Sequence, residues 1–193
     1  MTKLREASKK NILAIAASVF MIILGIGLIL YPKGTDLEYS LSQRRLEKAA
    51  ASESASSERI SLPEGAVGKL IIPKIDLEAI VLSGTSQAVL AKGPGHYEET
   101  PLPGEEGNCA IAGHRTMHGH PFRHIDRLRA GDKIIIYTSG DKFVYRVIGQ
   151  KVVKPTDLSV IDRSDEAKLT LTACHPVGSA SRRLVVVARL VSE

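Results

Sequence analysis

The chain of 193 residues has room for one ordinary domain and an appendage, but not for two full-sized domains. Its 44% hydrophobic content suffices for a packed core, while 4% aromatics and no tryptophan argue against binding surfaces built on ring stacking. The formal charge of +5 is concentrated at one end: Lys3, Arg5, Lys9 and Lys10 against Glu6 hold +3 of it, which leaves no case for a nucleic-acid-binding face.

In chain order, residues 1–11 form a basic tail and residues 12–32, ILAIAASVFMIILGIGLILYP, an uncharged apolar run. That length suits a helix crossing a hydrocarbon core of about 30 Å. It exceeds the apolar region of a cleaved signal peptide and lacks a small-residue cleavage site at its end. With the cations on its N-terminal side, the expectation is a single-pass anchor with a cytoplasmic N-terminus and an outward-facing remainder. Residues 33–64 then read as a juxtamembrane helix (LSQRRLEKAAA) followed by a small, polar, flexible spacer (ASESASSE) that ends at Pro63-Glu64-Gly65.

Residues 65–193 have a β texture. VGKLIIP, LEAIVL, NCAIAG, KIIIYT, KFVYRVIGQKVV, LTLTAC and RLVVVARL are short runs rich in branched residues, punctuated by Gly, Pro and Asp. About seven strands with short links predict an all-β barrel or sandwich. One short helix is expected at SQAVLAK (86–92) and another turn at PFRHIDRL (121–128), with a hairpin tip at Ser139-Gly140-Asp141. The longest link in this half, within residues 151–168, is a candidate substrate wall.

Two cysteines, Cys109 and Cys174, are too few for a disulfide scaffold, although one bridge between them is compatible with the sequence. Cys174 ends an apolar strand and precedes a loop containing Pro and Gly, which puts its thiol at a rim. As a nucleophile it needs a proton partner and a donor facing the developing oxyanion. Arg182 and Arg183, at the start of the next apolar run, are candidates for the donor. A buried cysteine beside two surface arginines is the alternative. Of six histidines, His114 follows the strand NCAIAG directly and is the one a rigid element can aim. His175 adjoins Cys174 but points to the opposite face of an extended chain. The cluster HRTMHGHPFRH contains Gly119 and Pro121 and no internal Glu, so no metal site is expected there, nor any cofactor.

AGHRTMHGHPF, then LTLTAC, then RLVVVARL, behind an N-terminal anchor, resemble the sortases, most closely class E and next class D. The similarity runs from about Gly68 to Leu190. It departs from the family at Ala173, where threonine is usual before the cysteine. The resemblance implies a closed β-barrel in which Cys174 is the nucleophile, His114 the proton partner and Arg183 the substrate-holding arginine, with Thr172 and Ala173 beside the substrate. It implies a cysteine transpeptidase that cleaves an LPxTG or LAxTG sorting signal after Thr. Its partners would be surface proteins bearing that C-terminal signal, and an amine from a peptidoglycan precursor or a pilin. Two other readings compete: an L,D-transpeptidase-like wall enzyme, whose cysteine sits in a different motif, and a tethered β-domain that binds a peptide without reacting.

Overall fold

A computed structural model describes residues 2–53 and 62–191, with side chains described in the first helix from Ile15 to Tyr31 and from Lys33 to Ala50. Eight strands close into a barrel in the order β1-β2-β3-β4-β7-β8-β6-β5. They are β1 (Ala66–Ile72), β2 (Leu77–Ser83), β3 (Gly95–His96), β4 (Asn108–Ala112), β5 (Lys133–Tyr137), β6 (Lys142–Val153), β7 (Lys168–His175) and β8 (Arg182–Val191). Each of the seven runs read as strands is one. The eighth, β3, is two residues long and lies in GPGHYEE, where the density of turn formers hides it.

Closure removes both sheet edges, which an open all-β domain of this size would have to protect. Alternating residues fill the interior: Leu70, Ile72, Ile111, Ile134, Ile136, Tyr145, Leu169, Leu171 and Val186 are all fully buried in one cluster. Most pairings are antiparallel, but β2–β3 and β4–β7 are parallel. The β4–β7 pair matters most for the site, because two parallel neighbours deliver their C-terminal ends to the same rim.

The short helix expected near residue 86 is α2 (Gln87–Leu90), whose Ser86 caps the Val89 N–H. The turn expected at 121–128 is a 3-10 turn over Ile125–Arg127. The link between β6 and β7 starts at the rim where Val153 opposes Arg183 and ends at the opposite rim with Lys168. Asn108, at the start of β4, holds the link down by donating to the carbonyls of Val160 and Asp162 at 3.0 and 3.2 Å.

Ahead of the barrel, α1 (Thr2–Glu53) is a single helix of 52 residues, on the order of 80 Å long. Its apolar stretch is long and apolar enough to cross a membrane, and within it nearly every described side chain from Ile15 to Tyr31 is exposed. The helix continues unbroken through residues 33–53 and takes in the segment expected as a juxtamembrane helix. Residues 54–61, most of the expected flexible spacer, lie outside the described residues. Beyond Pro32 the exposure pattern changes: Thr35, Asp36, Tyr39, Ser42, Gln43, Leu46 and Ala50 form one less-exposed stripe at helical spacing. That stripe packs on the barrel. Gln43, 7% exposed, accepts the Ile80 N–H at 2.8 Å and donates to the Lys92 carbonyl at 2.7 Å. It thereby completes the β2 edge where the two-residue β3 does not reach.

Candidate active site

The β7–β8 ladder sets the first part of the site. Its register opposes Cys174 to Arg183 and His175 to Arg182. Directly opposed residues of an antiparallel pair project to the same face, so Cys174 meets Arg183 and not Arg182. Arg183 Nη1 lies 3.4 Å from Cys174 Sγ and also donates to the carbonyls of Ala180 and Arg182, both at 3.3 Å. All three contacts fall on Nη1, so the sulfur shares that nitrogen's two hydrogens with two nearby backbone carbonyls.

The second part comes from β4. In its parallel pairing with β7, Ala112 is the partner of Thr172, and the Gly113 N–H donates to the Thr172 carbonyl at 3.0 Å. Two residues further along each strand stand His114 and Cys174. The strand ends therefore deliver both to one rim, from positions sixty residues apart in sequence. Gly113 is required at this corner because a Cβ there would lie 2.6 Å from the ring of Phe122, a core residue. The loop closes where the Phe122 N–H returns to the His114 carbonyl at 2.9 Å.

Burial, and then the nearby His118 ring, hold the His114 imidazole below the ordinary histidine pKa, so the neutral form predominates at neutral pH. The His114 and His118 ring centres are 5.2 Å apart. Among the described residues, nothing hydrogen-bonds the buried His114 Nε2. An unpaired buried nitrogen costs free energy, so His114 Nε2 keeps a hydrogen-bonding capacity that the fold itself does not use.

Arg115 joins the two halves, and its neighbour His114 drew attention away from it in the sequence. Among the described residues it is the largest fully buried side chain, 2% exposed. Its Nη2 donates to the Arg123 carbonyl and pairs with Asp126, both at 3.1 Å. Its Nη1 reaches the Cys174 carbonyl at 3.4 Å and His175 Nδ1 at 3.3 Å. A guanidinium has only hydrogens to give, so Nδ1 of His175 accepts. His175 is thereby committed to this buried network rather than to the thiol. The loop bearing His114 and the strand bearing Cys174 are tied through a single residue.

Thr172 and Ala173 are both 4% exposed. Thr172 Oγ1 is 3.2 Å from the Tyr97 hydroxyl, just below the rim, while Ala173 packs in the barrel interior. Cys109 is buried and unpaired, with its thiol pushed up to about 12 by burial and then by Glu105; both cysteines are free, so the conceivable bridge is not formed. No group of three or more metal-ligating side chains occurs among the described residues.

The sortase-domain family model matches residues 70–191, the whole barrel apart from its first four residues. The chain belongs to the sortase family. Its relatives include sortase E1 of Streptomyces coelicolor, 36% identical over 140 residues, and sortase D of Bacillus subtilis, 34% identical over 131 residues. These alignments cover 64% and 66% of this chain, but only 40% and 65% of the relatives' own lengths. Among solved structures, a Clostridium perfringens sortase D5 transpeptidase matches with a TM-score of 0.62 and 31% identity, over 83% of this sortase and 98% of that chain. The S. coelicolor sortase E1, solved with a tripeptide in its active site, gives 0.63 and 32%, over 66% and 88%. The resemblance to both classes thus extends from motifs to the whole barrel, and the L,D-transpeptidase alternative falls away.

Proposed function

We propose that this sortase is a membrane-anchored cysteine transpeptidase, with Cys174, His114 and Arg183 as its reacting set. The single observation that carries the reading is the 3.4 Å approach of Arg183 Nη1 to Cys174 Sγ, at the rim to which β4 delivers His114. Cys174 Sγ attacks the carbonyl carbon after Thr in an LPxTG- or LAxTG-type sorting signal, while neutral His114 takes the thiol proton. The guanidinium of Arg183, already aimed at the sulfur, donates to the oxyanion that forms on the carbon bonded to it. His114 passes its proton to the departing glycine nitrogen as the peptide C–N bond breaks and a thioester remains. An acceptor amine then attacks the thioester and gives its proton to His114. The new amide forms and the thiolate leaves, to be reprotonated.

The amine comes from a peptidoglycan precursor or a pilin lysine. Tyr97, bonded to the buried Thr172 hydroxyl, borders the entrance, and the β6–β7 link, which starts opposite Arg183, walls that side. Residues 12–32 anchor the enzyme, with the basic tail in the cytoplasm and the barrel outside.

Incubating the protein with LPxTG and LAxTG peptides plus an amine, and weighing the products by mass spectrometry, tests this. A peptide thioester on the wild-type chain and an amine-capped product are expected, with neither from Cys174→Ala. A peptide bound intact, with no adduct at any cysteine, would instead leave a non-catalytic binding domain.

A further inference from the structure

The loop after β4 contains three consecutive residues with positive φ: His118 at 50°, Gly119 at 65° and His120 at 41°. Glycine adopts this region freely, whereas each histidine gives up on the order of 1–2 kcal/mol to do so. Such a turn persists only where its surroundings hold it. Inside the loop the His120 N–H bonds the Met117 carbonyl and the Arg123 N–H bonds the His120 carbonyl, both at 2.9 Å, and neither bond holds Gly119. The hold on Gly119 comes from outside the barrel, from α1.

Asp36 Oδ1 accepts the Gly119 N–H at 2.9 Å. Tyr39, one turn further along the helix, packs its ring against the same glycine, so closely that a Cβ on Gly119 would overlap it. Burial raises the Tyr39 phenol pKa, and Gln43 one more turn on anchors the helix to β2 and Lys92. Three side chains at i, i+3 and i+7 thus seat the helix on the barrel, and two of them end on Gly119. From there the path to the chemistry is short, because His118 adjoins Gly119 and its ring contacts that of His114. His118 Nδ1, like His114 Nε2, is buried with no hydrogen-bond partner among the described residues. The pair is therefore placed by backbone and packing rather than by bonds of its own.

We infer that Asp36 and Tyr39 are positioning residues of the active site. By clamping Gly119 they hold the left-handed turn that sets His118 against His114, so the segment just beyond the apolar run belongs functionally to the catalytic domain. The inference rests on the transpeptidase reading and extends the set of residues that serve it.

The test uses the full-length chain in detergent or nanodiscs, with steady-state transpeptidation and melting curves recorded together. Asp36→Ala and Tyr39→Ala should each lower kcat about tenfold, the scale expected when a catalytic group is misplaced by a fraction of an ångström, with KM within about twofold. Asp36→Asn, whose amide oxygen still accepts the Gly119 N–H, and Tyr39→Phe, which keeps the ring, should restore most of that loss. Wild-type kcat in both alanine variants would overturn the inference. So would Asp36→Asn as impaired as Asp36→Ala, or a kcat loss matched by an equal loss of folded protein. Failure of the parent reading is separable: the wild-type chain itself would then form no thioester.

Discussion

Arg183 Nη1 stands 3.4 Å from Cys174 Sγ, on the same rung of the β7–β8 ladder. The register puts Arg183 opposite the cysteine and Arg182 opposite His175, a distinction that sequence spacing leaves open. Removing the guanidinium with Arg183→Ala should cost about 2–4 kcal/mol of transition-state stabilisation, a fall in kcat/KM of roughly 10² to 10³. Arg182→Ala, opposite His175, should remain within a few fold of wild type. Peptide-cleavage kinetics on the two variants decide the assignment, and the reverse pattern would exchange their roles.

The two thiols differ sharply in environment. Cys109 is 2% exposed and pushed up to about 12, whereas Cys174 is only partly buried at the rim. An iodoacetamide time course on the folded protein near pH 7.5 should therefore alkylate one cysteine, identified by peptide mapping as Cys174. Cys174→Ala should be inert on the same timescale. Rapid labelling of Cys109 would mean that the barrel opens far more readily than its packing implies.

His114 is held below its ordinary pKa by burial and then by His118. In the unfolded chain it returns to about 6.5, so below that pH the unfolded state binds more protons than the folded one. Stability should decline as the solution is acidified through pH 6.5 towards the folded value. His118→Gln removes the like charge, so the NMR titration midpoint of His114 should move up and the acid-side fall in Tm should shrink. An unchanged midpoint would assign the whole shift to burial.

Arg115→Ala should destabilise the fold by about 2–4 kcal/mol, because it leaves a void and strips hydrogen bonds from the Arg123 and Cys174 carbonyls. Asp126, with half of its side chain in water, adds little to that loss. Arg115→Lys should recover less than half, since one ammonium cannot reach the Arg123 carbonyl, Asp126 and the Cys174 carbonyl together. Urea denaturation of the three proteins measures this directly, and a lysine variant as stable as wild type would contradict the bridging role.

Much of this architecture was legible in the sequence because strands carry a two-residue period. RLVVVARL and LTLTAC could hardly be anything else, and a cysteine where such a run stops implies a rim. β3 was not legible, being two residues long among glycine, proline and histidine. Nor was Arg115, because a basic residue in a loop full of histidines reads as solvated, and its buried partners are backbone carbonyls that leave no mark in side-chain identity. The docking of α1 was hidden for a related reason. Asp36, Tyr39 and Gln43 are polar, and only the barrel's unfilled backbone groups at Ile80, Lys92 and Gly119 give them a reason to face inward.

A hydrogen-bond ladder changes register only in whole residues, so the Cys174–Arg183 pairing is in effect quantised: it is either kept or lost. The eight rungs from Lys168↔Arg189 to His175↔Arg182 hold it, leaving residues 176–181 outside the ladder as a replaceable cassette. Substitutions and length changes there can reshape the rim without moving the Cys174–Arg183 pair, provided an acceptor for Arg183 takes the place of the Ala180 carbonyl. The barrel thus divides constancy from variation, fixing the cysteine–arginine rung in the ladder and leaving the neighbouring loop free to drift.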